Sequence, residues 1–224
     1  MKKFVTLIFL FFPVILLGAE RSSTSLWDLF KMGGIWMWFL LALSVLSLWL
    51  ILEKLYIFHR KKLNTRFFFP QFETLLKKNN FDKIEDFFFR SDHLVCKVLN
   101  KGFRKKISMA EFEGRVERAV TIEVNELGNG LNILATIGSV APLIGFLGTV
   151  AGMIRAFGNI AAADEVSAQL VAGGIYTALT TTAYGLIIAI PTIALYNFFI
   201  HKIDSFVSDT EKTVNLILNN DLIK

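Results

Sequence analysis

Residues 131–154 read LNILATIGSVAPLIGFLGTVAGMI and residues 171–200 read VAGGIYTALTTTAYGLIIAIPTIALYNFFI, and these two apolar runs decide the fold. Each is long enough to cross a bilayer, which takes about 20 residues of helix. A plain lipid anchor would carry Leu and Ile throughout, whereas these runs carry Gly, Ala, Pro and Thr. In the first, Gly138, Gly145 and Gly152 recur every seven residues, with Ala141 and Gly148 beside them. Gly148 and Gly152 form a GxxxG pair, the spacing that lets two helix backbones approach closely. In the second, Ala178, Thr182, Gly185 and Ala189 fall on one helical face, with Thr177 and Thr181 as a neighbouring polar row and Thr180 adjoining it. Pro142 and Pro191 lie inside the runs, where each removes a backbone hydrogen bond and can kink or loosen its helix. The pattern predicts two helices that pack on protein along a small-residue face.

The rest of the chain agrees with a membrane setting. Of 224 residues, 54% are hydrophobic, above the roughly 45–50% usual for soluble domains. The formal charge of +5 is explained by Lys and Arg crowded beside apolar spans rather than by a basic stripe with interleaved aromatics, which argues against nucleic acid as a partner. Cys96 is the single cysteine, so no intrachain disulfide can form, and His59, His93 and His201 are too scattered to suggest a metal site. The sequence calls for no cofactor.

Taken in order, residues 1–19 have the form of a signal peptide: Lys2 and Lys3, an apolar run of about 14 residues, and a small-residue end at Ala19. An uncleaved anchor is the alternative. Residues 20–33 read as an amphipathic periplasmic segment, with Trp27 suited to an interface. Residues 34–58, rich in Leu and Trp, form the first transmembrane helix, closed by the positive cluster HRKK at 59–62. Residues 59–130 are charged with both signs mixed and predict a helical cytoplasmic domain. The triplets Phe67-Phe68-Phe69 and Phe87-Phe88-Phe89 are expected to supply core or membrane-surface contacts there, with a partner-facing role as the alternative, and KGFRKK at 101–106 is a solvated basic turn or a headgroup site.

Ser108 followed by Glu111 matches a capping box, and Glu111 with Arg115 forms a favourable pair four residues apart. Phe112, Val116, Ala119, Val120 and Val124 make the apolar stripe. One continuous helix is expected from here into the second span, residues 131–157, reaching about 70 Å at 1.5 Å per residue. The loop 158–170 holds Asp164 and Glu165 without Lys or Arg, so it is assigned to the outside and the large domain to the cytoplasm. The third span, 171–200, continues into an amphipathic cytoplasmic tail, 201–224. The fold class is thus an all-α integral membrane protein: three transmembrane helices after a signal peptide, the second and third long and extending into a helical cytoplasmic domain.

Between 131 and 154, and again between 171 and 200, there is no Asp, Glu, His or Lys. Thr177, Thr181 and Thr182, opposite Thr149, predict a narrow polar pathway; back-bonding of each hydroxyl to its own helix is the alternative. Hydroxyls can line a wet route for an ion, but they cannot bind and release a proton near neutral pH; if protons pass, the carrier must come from another chain. Arg155 is expected to snorkel toward headgroups or to contact a partner. A secondary transporter would need a substrate site and repeats that these spans lack, while a passive scaffold would also use glycine-faced helices.

The motifs APLIGFLGTVAGMI at 141–154 and GIYTALTTTAYGLIIAIP at 174–191, followed by Tyr196-Asn197, resemble the ExbB/TolQ/MotA family of energy-transducing membrane subunits. The resemblance is closer to ExbB and TolQ than to MotA, which has a further span and a larger loop. It implies a non-enzymatic bacterial inner-membrane subunit, in a homo-oligomeric ring described as a pentamer. This ring surrounds an ExbD- or TolR-like single-span partner whose membrane Asp carries the proton, and works through a TonB-like protein on outer-membrane transport. A TolQ-like envelope-maintenance or gliding-type motor is the alternative. By motif match Thr149 and Thr182 take the family's pore-facing threonine positions, and Pro142, Gly145, Gly148, Gly152, Gly185 and Pro191 its packing and kink positions. Many family members carry Glu where this chain has Thr177.

Overall fold

The computed structural model describes residues 33–61, 63, 72, 74–75, 81–102, 108–162 and 168–219. Six helices account for most of them: α1 (Ile35–Arg60), α2 (Phe81–Arg90), α3 (Leu94–Gly102), α4 (Met109–Gly128), α5 (Leu131–Ala161) and α6 (Ala168–Asn219). No strand occurs among the described residues. Among the described residues three helical stretches are long and apolar enough to cross a membrane: Ile35–Arg60, Met109–Ala161 and Val171–Asn219. The signal-peptide and amphipathic readings of 1–32, the first Phe triplet and most of the 101–106 basic turn lie outside the described residues.

The chain divides into two compact units, one holding Met1–Leu48 with Ile133–Ala194, the other Trp49–Asn132 with Leu195–Lys224. In the first, Met37 and Leu40 of α1 are buried with Ala141 of α5 and Ala189 of α6, and Leu43, Ile144, Tyr184 and Ile188 pack around them. The remaining surface of α1 stays apolar and outward, with Trp38, Phe39, Val45 and Leu48 exposed, as a lipid-facing helix requires. Helices α5 and α6 run on through Pro142 and Pro191.

The second unit is packed around larger side chains. Phe112, Val116 and Ala119 of α4 are buried as the sequence leads one to expect, Leu127 is buried with them, and Val120 and Val124, expected in the same stripe, are only half-buried. Phe58 meets Phe199 at 5.0 Å between ring centroids, and Phe72 meets Phe88 at 5.5 Å. The second Phe triplet is split by helical geometry: Phe88 is buried, Phe87 half-buried and Phe89 exposed. Ser108 caps α4, its Oγ accepting from the Glu111 N–H at 3.2 Å, while the Glu111 carboxylate takes Arg115 at 2.6 Å. Lys61 pairs with Glu123 at 2.9 Å and Glu126 at 3.0 Å, and Lys101 reaches Glu123 at 3.3 Å. Lys54, buried, donates to the Leu127 carbonyl at 3.2 Å, satisfying a carbonyl at the C-terminal end of α4.

The single helix expected from 109 into the second span is interrupted. Helix α4 ends at Gly128, Asn129 closes it with an N–H to the Asn125 carbonyl, and Gly130 adopts φ 81° before α5 begins. That left-handed conformation costs a Cβ-bearing residue but not glycine. The signal was present in Gly128-Asn129-Gly130, a cluster of breaker residues that outweighs the periodicity on either side.

A glycine seam and its hydroxyls

Helices α5 and α6 adhere within the first unit through backbone contact. A methyl placed on Gly145 would lie 2.9 Å from the Thr181 carbonyl oxygen, and one on Gly185 would lie 2.7 Å from that of Ala141. On Gly148 it would sit 2.6 Å from Thr181 Oγ1, and on Gly152 3.1 Å from Ala178 Cβ. These four glycines, each singled out from the sequence, therefore face the neighbouring helix. Gly138 also faces α6, but against the flexible side chain of Ile193. Such contact supplies dispersion where lipid removes any hydrophobic drive between helices.

Three of the four predicted pathway threonines converge on one carbonyl. Thr149 and Thr182 place their hydroxyl oxygens 3.0 Å apart across the seam. Thr149 donates to the Phe146 carbonyl at 2.6 Å, and lies 3.4 Å from that of Gly145. Thr182 approaches the Gly145 carbonyl at 3.1 Å. Thr181 approaches it at 3.2 Å and the Ala178 carbonyl of its own helix at 2.8 Å. Thr180 back-bonds to Tyr176 at 2.8 Å, the local alternative foreseen for any single threonine. The side chain of Thr177 lies outside the described residues. Pro142 and Pro191 are half-buried, and neither takes part in the hydroxyl cluster.

The spatial order of the threonines differs from the helical-wheel expectation. Periodicity grouped Thr182 with Ala178, Gly185 and Ala189, leaving Thr181 to the neighbouring row. In the structure Thr181 is fully buried with Ala178, Gly185, Ala189 and Thr192, and Thr182 stands half-buried at the edge. At about 100° per residue either threonine lies within reach of that face. The space over Gly148 and the buried position of Thr192 turn the contact toward Thr181. The Gly145 carbonyl itself was missed from sequence, because a backbone acceptor carries no side-chain signature.

Thr149 opens onto a shallow apolar groove along α5, lined by Phe146, Val150, Met153, Ile154 and Phe157. Arg155 is exposed beside it. With no Asp, Glu, His or Lys in 131–154 or 171–200, the spans offer hydrogen-bonding groups without a titratable side chain near neutral pH. Among the described residues no group of His, Cys, Asp and Glu is arranged to hold a metal ion.

Comparison with known proteins adds the family. Two relatives, each a "Biopolymer transport protein ExbB", come from Pseudomonas putida, 40% identical over 48% of this chain and 34% of that protein, and from Xanthomonas campestris pv. campestris, 41% identical over 48% of this chain and 46% of that protein. A "Tol-Pal system protein TolQ" of Haemophilus influenzae is 40% identical over 41% of this chain and 40% of its own length. The chain thus covers between a third and a half of the length of these relatives. The model of the MotA/TolQ/ExbB proton channel family matches residues 90–212, more than half of the chain and all of the glycine seam with its hydroxyls. This multi-pass, all-helical membrane protein belongs to the MotA/TolQ/ExbB proton channel family.

Proposed function

We propose that the chain is an ExbB-like inner-membrane subunit that forms the oligomeric proton channel and scaffold of a proton-motive-force-driven motor, energising TonB-dependent outer-membrane transport. The carrying observation is the Thr149–Thr182 hydroxyl pair, 3.0 Å apart at the half-buried edge of two spans without a carboxylate. Thr149 spends its proton on the Phe146 carbonyl, and Thr182 has acceptors inward at both Gly145 and Thr149. Hydroxyl lone pairs are then left over at this half-buried edge. Such a pair accepts a hydrogen bond from a neutral carboxylic acid, so the proton is carried by an acid on a second chain. The apolar groove beside Thr149 suits a single transmembrane helix bearing that acid. In this reading the partner is an ExbD-like protein with a membrane Asp, the large charged unit and C-terminus are cytoplasmic, and copies of this chain form a ring, a pentamer by family likeness.

Thr149→Val and Thr182→Val are expected to abolish proton-driven uptake while leaving assembly with the partner intact. Wild-type uptake in both variants would remove the hydroxyl-pair reading. Copurification of a single-span protein with an Asp in its span tests the partner directly. A TolQ-like role in envelope maintenance is the second reading, favoured by the TolQ relative. Complementation separates the two: rescue of envelope integrity without rescue of receptor-dependent uptake selects the TolQ-like role.

A further inference from the structure

The three converging hydroxyls bring three protons to an uneven set of acceptors. The Gly145 carbonyl has two lone pairs, and the helical N–H of Thr149 takes one in the ordinary α5 pattern. One lone pair remains for Thr181 at 3.2 Å, Thr182 at 3.1 Å and Thr149 at 3.4 Å. Thr149 has a shorter alternative at Phe146, 2.6 Å. The contest is between Thr181 and Thr182. Each has one other acceptor: the Ala178 carbonyl for Thr181, closer at 2.8 Å, and Thr149 Oγ1 for Thr182 at 3.0 Å, so Thr181 divides its proton between two carbonyls and its claim on Gly145 is a partial one.

The two contestants are placed differently. Thr182 is half-buried beside Thr149, whereas Thr181 is fully buried. A methyl built on Gly148 would lie 2.6 Å from Thr181 Oγ1 and 3.2 Å from its Cγ2, and one built on Gly33 would also lie 3.2 Å from that Cγ2. Walls on both sides hold Thr181 in place, and it has no open surface on which to meet a proton carrier.

We infer that Thr181 is a positioning residue: from inside the seam its hydroxyl competes for the Gly145 carbonyl and thereby biases the Thr182 proton toward Thr149. The inference rests on the proposed role of the Thr149–Thr182 pair and adds to it a side chain that never touches the carrier. Whenever Thr181 donates to Gly145, Thr182 is left with Thr149 Oγ1, and the ordered run from Thr182 through Thr149 to the Phe146 carbonyl is complete. Without the Thr181 hydroxyl, the Gly145 carbonyl is free to draw the Thr182 proton away from its neighbour.

The test uses the full chain coexpressed with its single-span partner, with proton-driven uptake followed across pH and assembly followed by copurification. Thr181→Val keeps the shape and removes the hydroxyl; Thr181→Ser keeps the hydroxyl and removes the methyl. The Val variant is expected to assemble, to lose uptake about five- to tenfold, the ratio set by the net worth of one hydrogen bond, and to show a displaced pH profile. The Ser variant is expected to stay within about twofold of wild type, since it retains that hydrogen bond. Thr181→Ala provides a second hydroxyl-free chain, expected to behave as Val, and decides the matter if the Val chain does not assemble. Wild-type uptake and pH profile in an assembled hydroxyl-free variant, with Thr182→Val inactive, would overturn the inference alone. A Ser variant as defective as Val would overturn it in favour of packing. Full activity of Thr182→Val would instead bring down the pathway reading on which it rests.

Discussion

The two units of this protein hold their helices together by opposite means. In the unit of Met37, Ala141 and Ala189, helices meet where side chains are smallest, and carbonyls and hydroxyls complete the contact. In the unit of Phe88, Phe112 and Phe206, large rings are buried and ion pairs flank the core. The contrast follows the solvent. Lipid gives two helices no hydrophobic reason to associate, so contact depends on close approach and on satisfying polar groups. Water drives apolar burial directly, and large side chains gain most from it. The same helix α6 contributes to both, with Gly185 in one and Phe206 in the other.

Breaking the seam should produce the largest effect. Gly185→Leu or Gly145→Leu drives a side chain into a facing backbone, which cannot step aside, and should eliminate stable assembly as measured by detergent-resistant copurification. Gly158→Leu, at a position with nothing within 4 Å of an added methyl, should leave assembly unchanged. The opposite outcome for either would undo the claim that backbone contact holds this unit.

In the second unit the matching change is Phe112→Ala. It removes a fully buried ring and should cost about 3–5 kcal/mol, read as a lower denaturant midpoint for this part of the molecule. Assembly through the seam should suffer less than in Gly185→Leu.

A smaller effect is expected from pH, and only in the charged unit. Burial alone would raise the Glu123 carboxyl and lower the Lys61 ammonium, but their mutual hydrogen bond and charge, with Glu126 and Lys101 contributing, reverse both shifts. Glu123 therefore sits below the ordinary glutamate range, and its contribution is present above that range and lost as pH falls through its lowered value. Lys61 sits above the ordinary lysine range, and its contribution is present below that range and lost as pH rises through its raised value. Thermal melts should show a plateau through neutrality that falls at both extremes, flattened in Glu123→Gln.

The least perturbing probe is Cys96. Burial pushes its thiol up to about 11, with hydrogen bonds from Ser91 and its own backbone opposing weakly. A thiol reagent at pH 8 should label the native chain slowly and the unfolded chain at once. Rapid native labelling would mean that the charged unit opens more readily than its packing implies.

Much of this architecture was legible in the chain. Hydropathy marked the three apolar helices, seven-residue glycine spacing marked the face on which α5 meets α6, and Ser108 with Glu111 marked the start of α4. These are local properties, fixed by 3.6-residue periodicity and by which side chains can cap a helix. The break at Gly130 was written in Gly128-Asn129-Gly130 but masked by the strong apolar pattern on either side. The Lys54 contact with the Leu127 carbonyl joins residues 73 apart and has no local signature.

What the sequence alone determined is composition within each span: small residues and hydroxyls in 131–154 and 171–200, with no Asp, Glu, His or Lys there, so that these two stretches hold no side chain that titrates near neutral pH. What only the tertiary structure decided is which hydroxyl does what. Thr181 and Thr182 are adjacent and chemically identical, and helical periodicity brings both within reach of the seam. The space over Gly148 buries the first, and the position of Thr149 pairs the second at the edge, because a shared carbonyl and a close backbone contact exist only once two helices have met.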